Sequence, residues 1–203
     1  MKCQRIGAAA VLMGVLIFLP DSPVAAYPPA VGILGNSPNC LICHVSNGPW
    51  NDDEFLILDI LDKETMTSLR QPDGTSKIEV PRGETRTVLT VIGRQAGDEQ
   101  DAPSRNALIY VDPQTIGNSS LSKFPPCWEV NLPLGCRRVG DILDAYPGAH
   151  ITASAMSIRA TDEAQNAMLT LQVMLTKGES VKGKPREGML GNYFERVVQL
   201  IVK

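Results

Sequence analysis

Aromatic residues are scarce, at 5% of the chain, and histidine occurs only twice, as His44 and His150. Few aromatic faces leave little surface on which bases could stack. Lys and Arg number 19 against 22 Asp and Glu, giving a net charge of −3 with the signs scattered. There is no basic stripe for a phosphate backbone, and nucleic acid is excluded as a partner class. Internal repeats and low-complexity tracts are missing, and beyond Leu19 no apolar run is long enough to span a bilayer. Helix-length amphipathic periods are few, which argues against the all-helical folds.

The first residues have a clear pattern. Lys2 and Arg5 make a positive start, Ile6 to Leu19 is an unbroken apolar run, and Pro20 ends it ahead of the small residues Val24-Ala25-Ala26. The run is too short for a comfortable permanent span, so residues 1–26 read as a signal peptide cleaved before Tyr27. The expectation is an exported protein, periplasmic or in another extracytoplasmic compartment, with no membrane association once the leader is removed. About 177 residues remain, enough for one domain with a substantial core.

From Tyr27 to Asn51 the chain is crowded with Pro, Gly and Asn, so a loop with one short helical turn at the cysteines is expected. Strand texture follows. "EFLILDILDK", "ETRTVLTVIGRQ", "NALIYVDP", "CWEVNL", "HITASAMSIRA", "AMLTLQVMLTKG" and "YFERVVQLIVK" are strand-length and separated by turn-forming residues. In "AMLTLQVMLT", Leu169, Leu171, Val173 and Leu175 form the core face, and Met168 and Met174 lie on the other. "RVGDILDAY" has the composition of a helical turn. The fold class expected is mainly β: an antiparallel β-sandwich of about seven to nine strands over residues 55–203, preceded by an attachment segment at 27–54.

That segment contains "NCLICHVSNGPW", with Cys40, Cys43 and His44 as Cys-x-x-Cys-His. Two cysteines at this spacing can form thioethers with the two vinyl groups of one haem, leaving the adjacent histidine to ligate iron through Nε2. Export fits, because haem c is attached outside the cytoplasm. A thioredoxin-like pair would need a following helix, which "VSNGPWNDD" does not supply. A zinc site would need Cys127 and Cys136 as its second pair, but nine positions apart is not a zinc-knuckle spacing. The cofactor expected is therefore one covalent haem c, held by Cys40 and Cys43 and ligated by His44.

The sixth iron position is open to Cys127, Cys136, His150, Met66, Met156, Met168, Met174, Met189 or no protein ligand. Taken by themselves, Cys127 and Cys136 suit a disulfide around "WEVNLPLG", worth about 2.7 kcal/mol by loop entropy. Alternatively one of them donates a thiolate, which would lower the iron's potential. The export signal, the single "CLICH", the β-sandwich behind it and the extra cysteines downstream resemble the NaxL/NaxS type of small monohaem cytochrome from anaerobic ammonium oxidisers. The resemblance is one of layout with one short motif. It implies a histidine–cysteine axial pair, taken as His44 with Cys127 in preference to Cys136, a heterodimer, and binding of nitric oxide or carbon monoxide. Electron transfer with a redox partner protein, or sensing of a small gas through a displaceable ligand, is the function expected. The alternative is a haem enzyme of sulfur or peroxide chemistry.

Overall fold

The computed structural model describes residues 39–42, 44–115, 124–131, 136–179 and 187–203. Residues 1–26, read as a leader, and Cys43 lie outside them. The first described element is a single 3₁₀ turn, Cys40–Ile42, and nine strands follow. These are β1 (Leu56–Asp62), β2 (Ser76–Val80), β3 (Thr85–Arg94), β4 (Arg105–Val111), β5 (Trp128–Asn131), β6 (Cys136–Arg138), β7 (His150–Ala160), β8 (Ala167–Gly178) and β9 (Met189–Val202). The fold is mainly β, as expected.

The strands form two sheets, β1-β3-β7-β5 and β2-β9-β8-β4-β6. Their facing sides make one core. Leu58 and Ile60 of β1, Val88 and Ile92 of β3, and Met156 and Ile158 of β7 meet Leu108 and Tyr110 of β4, Leu169 to Leu175 at alternate positions of β8, and Phe194 and Val198 of β9. Period-2 alternation puts those residues inward, and each strand becomes half of a two-layer sandwich. Polar ties also join the sheets: Asn106 Nδ2 of β4 donates to the Ile92 carbonyl and to Thr152 Oγ1, and Thr90 Oγ1 and Tyr110 Oη bond each other at 2.5 Å. Neither hydroxyl can reach water there, so each satisfies the other.

Three features differ from the sequence reading. β2 runs parallel to β9, Ser76 opposite Val198, so the sandwich is not wholly antiparallel. β6 is an additional edge strand beside β4, with Ala107 opposite Cys136. Residues 141–149 make no helical turn: Asp141 bridges to Ile151, and successive turns close from Leu143 to Tyr146 and from Tyr146 to Ala149. This stretch lies as a strap across the outer face of the first sheet, where Leu143, Tyr146 and Ala149 cover Ile57, Leu61, Val91 and Ile151. Apolar residues that face outward from that sheet are thereby buried, and the strap's short apolar residues are used in packing instead of in a helix.

Candidate haem-attachment site

The 3₁₀ turn at Cys40 continues far enough for the His44 amide to donate to the Cys40 carbonyl at 3.0 Å. Cys40 and His44 are thus the two ends of one backbone-bonded turn. Leu41 N donates to Asn39 Oδ1 at 3.0 Å, which starts the turn. The turn does not project into solvent. Cys40 is only 4% exposed and packs with Leu41 on Ala107, Ile109, Val111, Met174 and Tyr193. These residues all face outward from the second sheet, so the motif sits on the back of β4-β8-β9.

His44 is half-buried, and its Nδ1 is buried without a hydrogen-bond partner among the described residues. Burial lowers its pKa below the usual imidazole value. A lowered imidazole pKa favours the neutral ring, which is the form that binds a metal. Beneath Cys40, Sγ stands 3.7 Å from Oε1 of the buried Gln172. Gln172 Nε2 donates to Glu195 Oε1 at 3.4 Å, and Tyr193 Oη donates to the same carboxylate oxygen. A polar cluster therefore spans β8 and β9 beneath Cys40.

The following residues fasten the motif to the sandwich. Asn47 N and Gly48 N donate to the Gly191 carbonyl at 2.7 and 3.0 Å, and Gly191 N returns a bond to Asn47 Oδ1 at 3.1 Å. Trp50 is 1% exposed; its amide donates to Asn192 Oδ1 and its Nε1 to the Asp101 carbonyl. Arg94, also 1% exposed, bonds the Asn51 carbonyl at 2.8 Å and pairs with Asp53 at 3.0 Å and Asp98 at 2.6 Å. A buried indole and a buried guanidinium thus hold the segment just beyond His44. Gln172 and Arg94 carry no cue in the sequence; Trp50, a large apolar residue among chain breakers beside the motif, is the one visible signal.

The other proposed ligands are scattered. Cys127 is the third residue of a turn closed by Trp128 N on the Pro125 carbonyl, with φ +65°. Pro126 before it and positive φ at this place describe a type II turn, where glycine is the usual occupant. Thr161 holds the Cys127 carbonyl through its amide and hydroxyl at 3.1 and 2.8 Å. The thiol is exposed in a cleft of about 530 Å³ shared with Asp112, Gln114, Glu163 and Met168, and lies 3.9 Å from Glu163 Oε2. Met168 is four residues along β8 from Gln172, roughly 13 Å, so the cleft is well removed from Cys40.

Cys136 is closer. It faces Ala107 across the β4–β6 pairing, on the same outer side that Cys40 covers. Cys127 and Cys136 are both free and exposed, so the disulfide that their spacing suggests is not formed. The turn of Cys127 leads into the first sheet and Cys136 edges the second. His150 begins β7 in the first sheet, exposed and opposite Arg94. Met156 is in the sandwich core, while Met174 lies under Cys40.

Among the described residues, no three His, Cys, Asp or Glu side chains cluster as a metal cage. A haem iron asks for only one or two protein ligands, so the donor set here suits haem better than a bare ion. A half-buried imidazole one turn from a buried cysteine can offer one such ligand. Comparison with protein-family models and with curated proteins finds no match.

Proposed function

We propose that the chain is an exported monohaem c-type protein that carries single electrons or binds a diatomic gas. The observation that carries this reading is His44, half-buried and closing a hydrogen-bonded turn on the buried Cys40, within Cys-x-x-Cys-His. Haem would be held by thioethers from Cys40 and Cys43, each formed by adding S–H across a vinyl C=C with no oxidant required, and His44 would be its protein ligand. Once bound, haem supplies a one-electron iron centre with a coordination position for a small ligand.

A cysteine thiolate would be the second protein ligand in this reading. Cys127 is the ligand that the resemblance implies, but its thiol opens on a cleft well removed from Cys40. The strand register supports Cys136 as the alternative, because it shares the outer face with Cys40. A displaceable sulfur would let gas binding bias two arrangements of the protein. A redox partner protein and a dimeric or heterodimeric assembly belong to the same proposal, as does a periplasmic location. The enzymatic alternative, in sulfur or peroxide chemistry, draws support only from the Cys127 thiol in its cleft beside Glu163.

The test is a mass spectrum and a visible spectrum of the exported protein. One haem retained after denaturation and acid extraction, with the peptide around residues 40–44 carrying it, is the expected result. A colourless polypeptide of unmodified mass overturns the proposal. Given haem, Cys127→Ser and Cys136→Ser are compared: the variant that loses the thiolate-type bands identifies the ligand, and no change in either removes sulfur from the iron. Turnover of thiosulfate or peroxide by the purified protein would favour the enzymatic alternative.

A further inference from the structure

The cleft at Cys127 takes no part in haem attachment and is built from three separate stretches of chain. Asp112 follows β4, the turn Pro125-Pro126-Cys127 precedes β5, and Glu163 to Met168 link β7 to β8. Its volume, about 530 Å³, is that of a small-molecule site. Asp112 is only 4% exposed. Its Oδ1 accepts from the Gln114 amide at 2.8 Å, while Oδ2 accepts no bond among the described residues. A carboxylate this deep is costly without a hydrogen-bonding or cationic partner. Glu163 adds a second carboxylate, 3.9 Å from Cys127 Sγ. No Lys, Arg or His is among the described residues of the lining. Arg82, the near guanidinium, is bonded to the Asp162 and Ala164 carbonyls.

We infer that this cleft binds a linear aliphatic diamine, with one ammonium at Asp112 and the other at Glu163. Three observations select that ligand. The unanswered Asp112 oxygen, in a described lining with negative but no positive side chains, calls for a cation. The carboxylates and the thiol do not gather round one point as a metal cage, which suits charges spread along a molecule better than a bare ion. The uncharged lining includes Met168 and the two prolines, apolar surface that a methylene chain would take out of water. The site is independent of the haem c reading, and the exposed Cys127 thiol reports on its occupancy.

The test uses the intact protein with putrescine and cadaverine as probes and n-butylamine as the one-ended control. Calorimetry should show one diamine bound per chain, at least about tenfold tighter than butylamine. Alkylation of Cys127 by iodoacetamide, read by peptide mass spectrometry, should slow severalfold with diamine, and alkylation of Cys136 should not. Asp112→Asn should weaken diamine binding more than about tenfold. Glu163→Gln, a change at an exposed position, should bring diamine affinity down to that of butylamine. Should Asp112→Asn fail to fold, Glu163→Gln and the protection pattern decide. Equal affinity for butylamine and the diamines, equal protection of the two cysteines, or unchanged binding by Glu163→Gln overturns the proposal. So does magnesium ion alone protecting Cys127 as well as the diamines do, or a Cys127 thiol that is unreactive in the ligand-free protein.

Discussion

Replacing Trp50 by alanine should show how firmly the motif is held to the sandwich. The indole is 1% exposed, and its Nε1 donates to the Asp101 carbonyl at 3.0 Å. Deleting a buried tryptophan costs about 3–5 kcal/mol from lost transfer and the cavity left behind. The orphaned Asp101 carbonyl lies near the surface, where water can replace the bond, so about 4 kcal/mol is expected in total. For a domain of this size that corresponds to a midpoint lowered by roughly 8–16 °C. Trp50→Phe keeps most of the apolar contact and loses the hydrogen bond, so it should cost about 1–2 kcal/mol. Urea titrations followed by far-ultraviolet circular dichroism give both values. Limited proteolysis should find the chain between His44 and Asp53 cleavable in the alanine variant well below its unfolding midpoint. A loss under about 1.5 kcal/mol for alanine, or equal losses for the two variants, would refute the view that the indole is the lock.

Arg94→Met should cost about 3 kcal/mol in the same titrations, because the nearly buried Asp98 carboxylate loses its partner. Adding Asp98→Asn should return part of it, and strict additivity would refute the coupling. Gly93→Ala should be severely destabilising by thermal melt, since a Cβ would stand 2.0 Å from the backbone oxygen of His150 at φ +153°; an unchanged melt would show that β3 and β7 separate easily. Asp62 is held at a pKa of about 2 by the Thr65 amide and then by Arg86, against an ordinary value of 3.8. A depressed carboxylate gives stability that is present above the unfolded pKa and lost as pH falls through the folded one. Stability should therefore decline from about pH 4 towards pH 2, and Asp62→Asn should flatten that slope in acid titrations. An unaltered slope would assign the decline to other carboxylates.

The strands that could be read in advance are those with continuous strand-forming residues. "HITASAMSIRA" and "AMLTLQVMLTKG" coincide with β7 and β8 to the residue, because each is an uninterrupted strand-forming run with turn-formers at its ends. β6 could not be read, since Cys136-Arg137-Arg138 has no buried face and exists only through backbone pairing with β4. The parallel pairing of β2 with β9 was equally hidden, because which strand neighbours which depends on contacts more than a hundred residues apart. "RVGDILDAY" misled for a related reason: its apolar residues answer to Ile57 and Val91 on another element. In the site, the motif is local and was visible. Its support is distant in sequence, with Gln172, Gly191 and Asn192 arriving from β8 and β9.

The position of β9 has a consequence for the order of assembly. It lies between β2 and β8 and follows every other described strand along the chain. It also carries Gly191 and Asn192, the docking points for Asn47, Gly48 and Trp50. A polypeptide that emerges from its amino end therefore exposes the paired thiols long before their berth exists. Until the final strand slides into place, Cys40 stays accessible to whatever modifies it. Insertion of β9 closes that interval, so attachment under the haem c proposal would have to precede it.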